Sequence, residues 1–186
     1  MGLGGQDARA LIIWLRQAVL FLHLLAAAFW VGEILFVALV IGPLARNLPA
    51  AERIDLMRGV GRRALPWIWA AIAILVVTGI GNLYFLGIGP RQLIQPAFYG
   101  NAFGWLLAAK LVAATGMIAH AAVHDLIYRR RMRRLRAAIA AAAAQDRPAL
   151  ESEHERLRRA AAAVGRGNLW LAVIVVALAA GLGVRT

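Results

Sequence analysis

Four stretches of this chain are apolar for long enough to cross a bilayer, and no other feature of the sequence constrains the fold so tightly. They cover about 17–42, 65–86, 103–127 and 169–184. About 20 residues of helix are needed to traverse the hydrocarbon core. Lipid offers no partners for exposed backbone groups, so each stretch is expected to be helical throughout. The surrounding composition agrees: 62% of residues are hydrophobic, and the mean hydropathy is +0.69. In water a chain this apolar would expose patches that aggregate. The expected fold is therefore an all-α integral membrane protein, a four-transmembrane-helix bundle forming a single membrane domain over 1–186.

The segments between the spans set the orientation. Residues 46–63 hold five arginines and residues 128–167 hold eleven, whereas 87–102 holds only Arg91. With four spans, the first and third connections lie on one face, and the positive-inside rule makes that face cytoplasmic. Both termini are then expected outside, with the chain multi-pass in the plasma (inner) membrane. No cleavable signal peptide is expected, because the N-terminus lacks a basic region and the first apolar stretch is too long. The net charge of +12 is accounted for by this orientation. Nucleic acid is not an expected partner, since no nucleic-acid-binding fold accompanies the charge. Trp14, Tyr84, Tyr99 and Trp105 would mark the outer interface, and Trp67, Trp69, Tyr128 and Trp170 the inner one.

The third connection reads as a cytoplasmic helical extension between helices 3 and 4. Helix 3 continues to about residue 144, the chain breaks at Asp146-Arg147-Pro148, and a second helix follows over about 149–164. This basic hairpin has two readings. It is a topology determinant with a solvated face, or a platform for anionic lipid heads or a protein partner.

Ionisable residues within a span are costly and usually mark a site. The first span carries His23 and Glu33; the third carries Lys110, His120, His124 and Asp125. Lys110 is the only lysine, the other 20 basic residues being arginine. Its ammonium could pair with a carboxylate, its neutral amine could bind a metal, or it could snorkel to the headgroups. Arg16, His23 and Trp30 recur at seven-residue spacing and share one helical face. His23, Lys110 and Asn82 are expected at similar depth, forming an outer-leaflet polar cluster. His23 has two readings: a ligand, since imidazole is a common metal ligand and the usual axial ligand of haem iron, or a histidine hydrogen-bonded across helices. His120 and His124, spaced i, i+4, could hold a transition metal with Glu33 or relay protons; structural roles stand beside these. The absence of cysteine excludes disulfides and thiolate ligands.

Several of these residues stand in stretches that resemble a known family. Leu22-His23-Leu24-Leu25-Ala26-Ala27-Ala28-Phe29-Trp30-Val31-Gly32 resembles the first-helix signature of the copper-resistance D (CopD) membrane proteins. Val76-Val77-Thr78-Gly79 resembles that family's second-helix motif. Tyr99-Gly100, followed by Leu107-Ala108-Ala109-Lys110-Leu111, resembles its third-helix motif. The layout is also similar to HemJ-type protoporphyrinogen oxidases, small four-helix proteins with a first-helix histidine and a third-helix lysine. These resemblances imply haem b, with His23 as axial ligand and Lys110 as second ligand or propionate partner. Arg16 would pair with a propionate, and Trp30 and Asn82 would line the site. The expected role is redox or electron transfer, in the manner of a haem-dependent membrane oxidoreductase, with a redox partner or a second copy of the chain alongside. Copper binding or transport, with His23, His120, His124 and Glu33 as metal ligands, is the alternative. A structural or assembly subunit of a membrane complex is the third.

Overall fold

A computed structural model describes residues 3–183, and among them there is no strand. The fourth predicted span ends at Val184, which lies outside the described residues. Four helices are long and apolar enough to cross a membrane. The protein is therefore all-α, a multi-pass membrane protein by length and composition. The chain divides into two compact units, Met1–Phe98 and Tyr99–Thr186.

In the first unit, helix α1 (Leu3–Phe36) runs through a π-helical turn (Val37–Ile41) into α2 (Gly42–Arg46). Proline 43 explains the turn. It has no N–H to return to the carbonyl of Leu39, so the hydrogen-bond register can slip. The amide just before it, Gly42, bonds five residues back to Val37. A side chain at Gly42 would meet that same carbonyl at 3.2 Å, which is why glycine suits the widened turn. A short connection, 47–49, then reverses the chain into α3 (Ala50–Phe85).

Most of the basic segment 46–63 is thus helix. Only its first residues form the connection, and α3 begins well before the apolar stretch. Pro66 lies inside α3 near the start of that stretch, where it removes one ladder bond. The helix ends in a Schellman motif: Ile88 N–H bonds to Leu83 and Gly87 N–H to Tyr84, each at 2.9 Å. Gly87 has φ of 71°, which a side chain would disfavour. Beyond it lie α4 (Pro90–Leu93) and a 3-10 turn (Pro96–Gly100).

The second unit begins with a capped helix. Asn101 accepts a hydrogen bond from Gly104 N–H at 2.9 Å and starts α5 (Ala102–Ala122), as an N-cap asparagine should. A second π-helical turn (Val123–Tyr128) leads into α6 (Arg129–Ala141). After a turn over 142–146, α7 (Arg147–Gly183) runs without interruption. Pro148 stands in its first turn, where its missing N–H costs nothing.

Here the sequence expectation differs from the structure. A helix over 149–164 and a separate span from 169 are one continuous helix. Gly165 and Gly167 each cost only about 1 kcal/mol in a helix interior, and neither removes a backbone donor as proline would. At about 1.5 Å per residue, α7 is about 55 Å long, nearly twice a hydrocarbon core. Its polar first half therefore projects beyond the membrane.

Each unit packs one antiparallel helix pair. In the first, α1 buries Ala26 and Trp30 against the face of α3 that holds Ala71, Ile72 and Thr78. In the second, α5 buries Gly104, Leu107, Ala113 and Met117 against α7, with Ala172 at the centre. Leu11, Ile12, Ile13, Trp14 and Leu15 are all exposed. Such a surface is untenable in water and ordinary in lipid, which is as apolar as the residues themselves.

Candidate functional site

His23 stands at the middle of the buried stripe of α1, one turn from Ala26 and two from Trp30. Its ring meets α3 at Thr78 and Gly79. Nδ1 lies 2.9 Å from the Thr78 hydroxyl. That hydroxyl donates its one proton to the Ile74 carbonyl four residues back, so it accepts from His23. With the hydroxyl proton on the Ile74 carbonyl, Nδ1 is the donor in this contact. A hydrogen bond of this kind on one ring nitrogen commonly orients a metal-binding histidine through the other. Glycine at 79 makes the approach feasible, because a Cβ there would already touch His23 Cε1 at 3.5 Å.

Magnitudes separate structure from function at this contact. Interhelical hydrogen bonds in membrane proteins contribute on average about 0.6 kcal/mol. That is too little for Thr78 and His23 to be needed for stability alone. What the contact fixes is the tautomer and the ring plane.

The other candidates of the first unit divide by face. Asn82 lies one turn beyond Thr78 on the α1-facing stripe of α3, half-buried. Trp30 is buried on the His23 stripe. Arg16 is exposed, toward the outer end of α1. Glu33 is half-buried one turn before the π-helical segment.

Lys110, His120 and His124 belong to the second unit. Lys110 falls within the arc of α5 that buries Leu107, Ala113 and Met117, and it is half-buried. The two histidines have separate partners. His120 Nδ1 donates to the Gly116 carbonyl at 2.9 Å, and its Nε2 edge packs over Gly167, where a Cβ would meet it at 3.3 Å. His124, in the π-helical turn, lies 3.6 Å from Asp125, which also receives Arg129 at 3.3 Å. Among the described residues no three of His, Cys, Asp and Glu form a group that could hold a metal ion.

Two residues escaped the sequence reading as site candidates. Thr78 is the one Ser or Thr in the second span, yet nothing in the sequence marks it as the partner of His23. Asn168, beside Gly167, has its side-chain oxygen buried without a donor among the described residues. Its position just outside the fourth apolar stretch hid it.

The fold defines the class, a four-span all-α membrane protein, and comparison with known proteins adds one relative to it. The chain is 36% identical over 85 residues to an uncharacterized protein of Aquifex aeolicus (strain VF5). The match covers 45% of this chain and 59% of that relative, little more than half its length. No family model matches, and no solved structure matches.

Proposed function

We propose that this chain is a haem b-binding membrane protein with a redox or electron-transfer role, and that His23 is an axial ligand through Nε2. The observation that carries the reading is the Thr78 hydrogen bond, in which Nδ1 is the donor. The residues around it suit a flat group: Gly79 flanks the ring, and Ala26 and Ala27 stand on the same stretch of α1. Haem, when bound, would supply the one-electron couple. This chain's part is to present the ligating nitrogen, fix its plane and keep water away with Trp30 and the surrounding aliphatic side chains.

Lys110 enters as second ligand or propionate partner, and Arg16 as a propionate partner at the outer surface. Both assignments come from the sequence resemblance and are tested separately by Lys110→Met and Arg16→Gln. The plasma membrane, with both termini outside, is the proposed setting.

The test is an absorption spectrum of protein purified from cells supplied with a haem precursor, oxidised and then reduced. A Soret band lost in His23→Ala supports the reading. A colourless preparation overturns it, and copper analysis of the same sample then decides for or against the metal alternative.

A further inference from the structure

Beyond the haem reading, and independent of it, the second unit carries a cation cluster with the geometry of a lipid-phosphate site. Arg130, Arg133 and Arg134 line one cleft together with Ala137. Their spacing places them on one face of α6, opposite Leu135, which is buried toward α7. Among the described residues none of the three takes part in an ion pair, whereas their neighbour Arg129 is held by Asp125 at 3.3 Å. A second cleft is lined by Arg158, Arg159, Ala162 and Arg166. Two of its three arginines are already held: Glu155 accepts from Arg158 at 2.7 and 2.8 Å and from Arg159 at 3.2 Å.

Tyr128 has the character of an interfacial aromatic residue. At about 1.5 Å per residue, Arg130–Arg134 lie about 3–9 Å beyond it. The headgroup layer is about 5–8 Å thick in each leaflet, from the difference between the hydrocarbon core and the full bilayer. The first cleft thus sits at the level of lipid phosphates. Arg158 stands no farther out: Arg136 meets His154 and Gly167 meets His120, so in this antiparallel pair Arg158 is level with Arg130. Pairing with Glu155, rather than depth, distinguishes the clefts. Guanidinium groups bind phosphate oxygens in pairs, which a point charge cannot do.

We infer that Arg130, Arg133 and Arg134 form a binding site for the phosphate of an anionic phospholipid headgroup, seated on α6 where it leaves the membrane. The site does more than orient the chain, for which charge of any geometry suffices.

The experiment uses the full-length protein purified in mild detergent, offered equal amounts of phosphatidylglycerol and phosphatidylcholine, with retained lipid counted by native mass spectrometry. Wild type is expected to retain phosphatidylglycerol preferentially. Arg130→Gln with Arg133→Gln and Arg134→Gln is expected to lose that preference, by about fivefold for each arginine removed. Arg158→Gln with Arg159→Gln and Arg166→Gln removes the same charge from the other cleft and is expected to keep it. Should the first triple variant fail to insert, Arg130→Lys with Arg133→Lys and Arg134→Lys preserves charge and topology and is expected to weaken retention severalfold. Equal losses in both glutamine variants, or an undiminished preference in the lysine variant, overturn the site as a shaped one. Displacement of the lipid by millimolar inorganic phosphate, with phosphate itself retained, overturns the lipid as its occupant.

Discussion

At the residue scale, the contact of His23 with Thr78 makes sharp demands. Replacing Thr78 by valine keeps shape but removes the acceptor of the His23 Nδ1–H, at a stability cost near the average of about 0.6 kcal/mol for an interhelical hydrogen bond. Loss of an outer-shell partner typically lowers metal-site affinity about 10- to 100-fold. Thr78→Val is therefore expected to lower haem occupancy within that range, measured by haemochrome assay, while Thr78→Ser keeps it. Gly79 gives a graded companion test. Alanine there makes ordinary contact with His23 at 3.5 Å and should be tolerated. Leucine must displace the ring and should abolish the Soret band while the protein still inserts. His23 was legible in the sequence because an imidazole within a span is rare. Its partner was not, because a threonine in an apolar helix usually satisfies itself on its own i−4 carbonyl. Thr78 does so, and only the α1–α3 register reveals that its second lone pair serves another helix.

The helices raise questions of their own, and the basic hairpin offers the clearest. Arg136 Nε donates to His154 Nε2 at 3.3 Å, tying α6 to α7. Burial, followed by the guanidinium groups of Arg136 and Arg158, holds the His154 pKa below its usual 6.5, with Glu155 opposing. The folded state thus binds its proton less readily than the unfolded state does. Stability from this contact is complete above about pH 6.5 and declines as the pH falls through the window below it. Protection factors of α6 amides, taken relative to intrinsic exchange at each pH, are expected to be lower at pH 5.5 than at 7.5, and His154→Gln should flatten that dependence. Glu155 does not confuse the test, since Arg158 pulls its pKa down to about 2.

Helix existence was written plainly in hydropathy, yet helix length was not. Apolar runs report how much of a helix meets lipid, whereas the ladder of α7 continues through Gly165 and Gly167 into a polar region that hydropathy assigns to a loop. The π-helical turn before Gly42 had a visible cause in Pro43; the one at Val123–Tyr128 has no comparable mark.

For the whole molecule, the two units follow one plan. His23-Leu24-Leu25-Ala26-Ala27 in α1 corresponds to Lys110-Leu111-Val112-Ala113-Ala114 in α5. Ala26 and Trp30 are buried at the spacing of Ala113 and Met117. A π-helical turn begins fourteen residues after His23 and thirteen after Lys110. The two titratable groups singled out by depth and rarity thus hold equivalent places in two helix pairs of the same sequence direction, a known mode of internal repetition in membrane proteins. The proposed orientation has a direct check in a chain without cysteine. Gly100→Cys is expected to react with an impermeant maleimide on intact cells, and Ala143→Cys only after the membrane is opened. The reverse pattern would invert the topology.

The short connection at 47–49 has a consequence for how the protein is made. Because α3 turns straight back along α1, the pair that holds His23 against Thr78 consists of neighbours in sequence. Translation delivers both before the third span has been synthesised. The histidine's proton can therefore be assigned while the ribosome is still at work, ahead of any cofactor's arrival.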